Sequence, residues 1–187
     1  MHTVSAIVRA VLASAACASA AHAQSSTPAI FVANEGNLEG SVSSFLVESD
    51  GSLTFVDRVI TGSRSSTSQP CAGCNTFAID ITPSGRFLAT SHASGSASEN
   101  FTIYEVAPDA SLSVVDILTV PQGGLDLAWV RDDLLAVCIT DLSGSNELRL
   151  YNWDTSAMEL TLADSDVSGS FLTSIAVHPS GRWIICN

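Results

Sequence analysis

Apolar and polar positions alternate in short runs that are broken by clusters of Gly, Ser, Asn and Asp. Alternation with a period of two, bounded by turn-forming residues, predicts half-buried β-strands; no segment of the mature-looking region carries a helical period. The predicted strands are Ile30–Asn34, Val42–Val47, Leu53–Val59, Asn75–Ile81, Phe87–Ser91, Phe101–Val106, Leu112–Leu118, Asp126–Val130, Leu134–Val137, Leu148–Trp153, Met158–Leu162, Thr173–Val177 and Trp183–Ile185.

These runs repeat. Phe77-Ala78-Ile79-Asp80-Ile81-Thr82-Pro83-Ser84-Gly85-Arg86-Phe87-Leu88-Ala89 is matched 96 residues later by Thr173-Ser174-Ile175-Ala176-Val177-His178-Pro179-Ser180-Gly181-Arg182-Trp183-Ile184-Ile185. Midway lies Asp126–Val137, 48 residues on, with one residue deleted at its turn. In each copy an alternating strand meets a tight polar turn and then a more continuously apolar strand. Pro presets φ in such a turn and Gly accepts positive φ. The next strands repeat as well: Val42–Val47, Phe101–Val106 and Leu148–Trp153 each carry one aromatic in common, Phe45, Tyr104 and Tyr151. Asp50-Gly51-Ser52-Leu53 and Asp109-Ala110-Ser111-Leu112 are one turn written twice.

A period of about 48 residues with four strands per unit predicts an all-β chain, a partial β-propeller of four-stranded antiparallel blades. A β-sandwich of regular hairpins is the alternative. Ile30–Asn34 aligns with the second strand of a blade, so the groups contain three, four, four and two strands. That is about three and a half blades. A ring of seven at this period needs on the order of 340 residues, so the expectation is a fragment of a longer protein.

The repeated strand–(Thr/His)-Pro-Ser-Gly-Arg–strand unit, Ile81–Leu88 and Val177–Ile184, resembles that of the lactonase-type, 6-phosphogluconolactonase-like seven-bladed propellers and of YVTN-type repeat propellers. Phe31-Val32-Ala33-Asn34, Val42-Ser43-Ser44-Phe45 and Asp50-Gly51-Ser52-Leu53 resemble a first blade of that family. For some members the resemblance implies hydrolysis of a sugar lactone, a carboxylic ester, by His, Arg and Glu around the channel mouth. It also implies a His shortly before an innermost strand. The equivalent places here are Cys74-Asn75, Gly124-Leu125 and Phe171-Leu172, and none is His.

Residues 1–23 are predicted to be a signal peptide. Arg9 lies before an apolar run, Ala10–Ala21, too short for a membrane span, and Ala21-His22-Ala23 supplies small residues before a cleavage ahead of Gln24. Lipidation at Cys17 is the alternative. Residues 24–187 then form the incomplete propeller domain, secreted or periplasmic, with no membrane span.

Composition narrows the partners. Acidic residues number 19 against 7 basic ones, all arginine, for a net charge of −12. Loss of the leader takes Arg9 with it and makes the balance one unit more negative. Nucleic acid and anionic membrane surfaces are therefore excluded as partners by repulsion. Hydrophobic residues make up 46% and charged ones 14%, enough apolar material for a core.

Export directs attention to the cysteines. Cys71-Ala72-Gly73-Cys74 is read as a local disulfide, Cys71–Cys74, with redox, metal and free-thiol roles as alternatives; haem attachment would need His where Asn75 stands. Cys138 and Cys186 lie in apolar strands and are expected to be small buried residues.

Candidate chemistry is sparse. His92, expected as a solvated histidine at the start of a Ser/Gly-rich loop, is the better general-base candidate; His178 is expected to cap its own turn. Asp126, at the start of an innermost strand, is either a channel carboxylate or a partner for a neighbouring backbone amide. Glu35, Glu39, Glu99, Asp141 and Glu147 are candidates for a ligand-binding loop face. Oxygen-rich loops of this kind are chemically suited to Ca2+, but neither an EF-hand nor an RTX spacing is present, and no cofactor is assigned. The reading is an exported binding module, monomeric at full length, that takes a small molecule or protein on its loop face; a lactone hydrolase with its decisive residues in other blades is the alternative.

Overall fold

The computed structural model describes residues 27–36, 39–64, 75–92, 100–119, 123–140, 146–168 and 172–187. The expected signal peptide, Cys71, Cys74, Glu99 and Asp141 lie outside them. Among the described residues there are thirteen strands and no helix: β1 Ala29–Asn34, β2 Glu39–Val47, β3 Leu53–Arg64, β4 Ile79–Ile81, β5 Phe87–Ser91, β6 Asn100–Val106, β7 Leu112–Thr119, β8 Gly123–Arg131, β9 Leu134–Thr140, β10 Asn146–Asp154, β11 Glu159–Ser168, β12 Ile175–Val177 and β13 Ile184–Cys186. They pair in order as four antiparallel sheets, β1-β2-β3, β4-β5-β6-β7, β8-β9-β10-β11 and β12-β13. The chain is a partial β-propeller, and each sheet is a blade or part of one.

The sequence copies become equivalent structures. In the β4–β5 hairpin the Thr82 N–H donates to Phe87 O and the Gly85 N–H to Thr82 O; in the β12–β13 hairpin the His178 N–H donates to Trp183 O and the Gly181 N–H to His178 O. Gly85 and Gly181 hold φ of 73° and 66°, the left-handed region where a side chain is strained. At the far turn of each blade Asp50, Asp109 and Asp154 accept the backbone N–H and hydroxyl of Ser52, Ser111 and Ser156. The ladder between the third and fourth strands of the first three blades shifts register at an equivalent place, between Ser44 and Phe45, Ile103 and Tyr104, and Leu150 and Tyr151, and the extra residue, Val56, Val115 or Ala163, lies on the fourth strand. The shared aromatic therefore sits beside a bulge of the neighbouring strand each time.

Strand ends differ from expectation in two ways. The outer strands run longer, β3 to Arg64 and β11 to Ser168, because the ladder with the preceding strand continues past the apolar stretch. The predicted strand from Asn75 starts only at Ile79, since Asn75 turns its amide to Gly36 O instead of joining a ladder.

The core lies between blades. Second strands are apolar on both faces because each is sandwiched. On β5, Phe87 and Ala89 pack toward the third blade, against Leu127, Trp129, Leu135, Val137, Ile139, Tyr151 and Trp153. Leu88 points the other way and packs with Val42, Tyr104 and Leu112. Phe87 meets Trp153 edge-on with centroids 5.2 Å apart, and Phe101 lies 6.0 Å from Tyr151. Hydrophobic burial of this kind, about 25 cal/mol per Å2 of apolar surface removed from water, is what holds one sheet to the next.

Candidate functional site

The innermost strands β4, β8 and β12 stand side by side and line a groove of about 450 Å3, walled by Ile79, Asp80, Ile81, Asp126, Leu127 and Ala128 among others. Two carboxylates belong to this wall, and both are engaged. The Trp129 N–H donates to Asp80 Oδ2 at 2.7 Å, and the Ile175 N–H donates to Asp126 Oδ2 at 2.8 Å. In both cases an acid on one blade holds the backbone of the next, 49 residues later in the chain. The outer strands use the same device: Asp57 accepts from the Leu112 N–H at 3.3 Å and Asp116 from the Leu160 N–H at 2.9 Å. At the turns the Ser84 N–H donates to Asp132 Oδ1 at 2.9 Å.

This wall is electrostatically strained. Burial pushes the Asp80 carboxyl above its ordinary range; the Trp129 and Ile81 N–H groups pull it partly back, and the nearby Asp126 charge adds to the rise. Asp126, read from the sequence as either a channel carboxylate or an amide partner, lines the groove and bonds the neighbouring amide. Its Oδ1 also accepts from the Leu127 N–H at 2.9 Å.

Two ends of the molecule differ. The tight turns at Asp50, Pro83, Asp109, Asp132, Asp154 and Pro179 share one end. The chain leaves Asn34, Arg64, Ser91, Thr119, Thr140 and Ser168 at the other. His92 lies at that second end and corrects an expectation. It is fully buried rather than solvated, and its carbonyl accepts the Gly124 N–H at 2.7 Å. The reason is that Gly124, lacking a side chain, lets β8 press against Phe101 and Ser91, so the end of β5 is covered by the next blade. His178 lies at the opposite end and binds its own turn: the Ser180 N–H donates to Nδ1 at 3.1 Å, and the Ser180 hydroxyl lies 2.8 Å from that nitrogen.

Three of the acidic candidates, Glu35, Glu39 and Glu147, lie among the described residues. Glu35 is exposed in the connection after β1. Glu39 and Glu147 are strand residues, not loop residues. Glu39 opens β2 opposite Arg64, and Glu147 pairs across β10 with Ile139 and Val167. Glu147 accepts from Arg149 Nε at 2.7 Å in an ion pair whose side chains are only 21% and 15% exposed. Among the described residues no three His, Cys, Asp or Glu side chains are grouped to hold a metal, and no helix is long and apolar enough to cross a membrane.

A buried polar seam between the first two blades was not foreseen. Thr61, Asn75, Thr76 and Thr102 are all fully buried. The Thr61 and Thr76 hydroxyls donate to Asn75 O at 3.4 and 2.7 Å, the Asn75 amide donates to Gly36 O at 2.5 Å, and the Thr102 hydroxyl donates to Thr61 O. Beside it burial drives the Tyr104 hydroxyl strongly upward in pKa, offset in part by the Thr90 and Thr102 hydroxyls. The available signal was Asn75-Thr76 itself, two polar residues entering an innermost strand.

No protein-family model matches the chain, and no curated protein matches it. Solved structures do. A functionally unknown protein from Desulfotomaculum acetoxidans DSM 771 aligns over 76% of this chain and 42% of its own, at 17% identity and a TM-score of 0.52. A protein from Lactobacillus plantarum aligns over 74% of this chain and 38% of its own, at 21% identity and a TM-score of 0.52. A Bacteroides fragilis NCTC 9343 protein described provisionally as a 6-phosphogluconolactonase aligns over 82% of this chain and 61% of its own, at 12% identity and a TM-score of 0.46. The chain thus spans roughly two fifths of the length of the first two structures it matches, and what it shares with them is the fold.

Proposed function

We propose that this chain is part of an exported β-propeller that acts as a binding module, taking a small molecule or a protein on the loop face opposite the Pro83 and Pro179 turns. One observation carries the reading: Asp80 and Asp126, the two carboxylates of the channel wall, are each held by a backbone N–H of the next blade. A carboxylate so engaged serves the blade interface and is poorly placed for proton transfer, which needs the acid or base within hydrogen-bond reach of the substrate. His92, the other general-base candidate, is covered by the third blade. At the opposite end the Asp50, Asp109 and Asp154 side chains are bonded within their own turns, whereas Glu35 is exposed at the connection end.

The second reading, a lactone hydrolase, rests on the repeated strand–Pro-Ser-Gly-Arg–strand unit and would place its chemistry in blades beyond this segment. Lactone opening releases a proton as the carboxylic acid ionises, so a pH-stat assay on the full-length protein, with the blades beyond this segment, and glucono-1,5-lactone separates the two. A rate equal to the buffer blank supports the binding module. A protein-dependent rate that persists in the His92→Gln variant overturns it in favour of the hydrolase, and a rate that vanishes in that variant overturns it and assigns the base. The proposal of export is tested by N-terminal sequencing of protein recovered outside the cytoplasm, with Gln24 expected as the first residue.

A further inference from the structure

We propose that Cys138 and Cys186 form a disulfide that joins the third blade to the fourth. The argument begins with strand alternation. On β9, Leu135, Val137 and Ile139 pack back against the second blade, so Ala136 and Cys138 point forward, toward the fourth. On β13, Ile185 is 65% exposed while Ile184 and Cys186 are half-buried; those two face back toward the third blade. The two thiols therefore look into one interface from opposite sides.

Register brings them to the same level of that interface. Cys138 is the cross-strand partner of Asp126, and Cys186 is the cross-strand partner of Ile175. Asp126 and Ile175 are themselves joined across the interface by the 2.8 Å bond. The Cys138 thiol donates to Ser174 O at 3.8 Å, and the Asn187 N–H, next to Cys186, donates to the same oxygen at 3.2 Å. One carbonyl thus receives Cys138 and the backbone just beyond Cys186. Both sulfurs are thiols in this structure, and each acts on the other's ionisation. Burial, then the Cys186 thiol beside it, pushes Cys138 up to about 12, and burial also raises Cys186, with Asp126 acting on both.

The chemistry requires an oxidant, here a disulfide-bearing compound or protein. The less buried Cys186 thiolate attacks that disulfide, forms a mixed disulfide and releases one thiolate. The Cys138 thiolate then displaces the second. One S–S bond forms in the protein and one breaks in the oxidant. Two electrons pass to the oxidant's sulfurs, and the two cysteine protons end on its thiols. Cys138 is fully buried once the blades have closed and out of reach of the oxidant, so the bond forms while the third and fourth blades are coming together.

The test is peptide mapping of the full chain, refolded from the reduced state in a mixture of reduced and oxidised glutathione, alkylated, and digested without reduction. The expected product is one peptide pair linking Cys138 to Cys186, separated by dithiothreitol. In the Cys138→Ser variant, Cys186 is expected to retain glutathione as the trapped mixed disulfide. Recovery of Cys138 and Cys186 as separate alkylated peptides from the unmutated chain overturns the proposal. So does their linkage to other cysteines. Because the unmutated chain decides the matter, a variant that fails to fold does not obscure it.

Discussion

Asp126 accepts the backbone N–H of Ile175 across the interface between two consecutive blades, 2.8 Å from nitrogen to Oδ2. This contact sets the height of one innermost strand against the next. Replacing Asp126 by Ala leaves the Ile175 N–H without its acceptor, and a charge-assisted bond lost in a partly buried place costs about 1–3 kcal/mol. Asn retains an acceptor oxygen and should lose less. Urea denaturation of the three proteins, read from the midpoint at constant slope, checks the order wild type, Asn, Ala; equal midpoints for Asp and Ala would remove the clamp from the account.

Asp80 makes the same contact with Trp129 but under a heavier burial penalty. Its carboxyl is raised in the folded chain, so the folded state binds its proton more tightly than the unfolded state does. By linkage, stability then falls as pH rises from the unfolded value through the raised one, and the favourable contribution is fully present only below both. Asp80→Asn removes the charge and keeps an oxygen for the Trp129 N–H. The variant should be at least as stable as wild type at neutral pH, with its advantage shrinking toward about pH 3, near the ordinary carboxylate range. Thermal melts across that range would contradict this if the variant lost stability at pH 7 alone.

Phe87 is 1% exposed and meets Trp153 edge-to-face with an interplanar angle of 71°. The two rings come from different blades, so their contact reports on the seam and not on a single sheet. Phe87→Ala should cost about 3–5 kcal/mol. A double-mutant cycle with Trp153→Ala should return a coupling of about 0.5–1.5 kcal/mol. Additive effects in that cycle would mean that the rings merely fill space.

At Gly124 the backbone of β8 presses against the second blade. A Cβ there would lie 2.3 Å from Phe101 Cε1 and 3.3 Å from Ser91 Cβ. Phe101 is fully buried and has no room to retreat. Gly124→Ala should therefore destabilise the fold by about 1–3 kcal/mol, the usual cost of overpacking. It should also increase hydrogen exchange at the Gly124 amide, whose partner is His92 O. An unchanged exchange rate there would show that the blades part without cost.

The strand order, the blade grouping and the turns were legible in the chain because they are set by neighbours in sequence. Period-two alternation, a Pro-Ser-Gly-Arg turn that needs positive φ at Gly, and an Asp that captures a Ser two residues on are local physics, and they recur with the repeat. The aromatic set Phe45, Tyr104 and Tyr151 was visible too, although the bulge on the strand beside each one was not. What alternation leaves open is what faces each side of a sheet when both sides are covered. That is why His92 was expected in solvent and is buried, and why Glu147 was expected in a loop and is ion-paired on a strand. Asp126 offered two roles to the sequence, and only the next blade, with Ile175 at the same level, could supply its amide. Cys138 and Cys186 lie about one blade period apart, and they become neighbours only because second strands turn alternate residues toward the blades on either side. Contacts within a hairpin are encoded over a few residues; contacts between blades depend on the relative rotation of two whole sheets, which no short stretch of sequence carries.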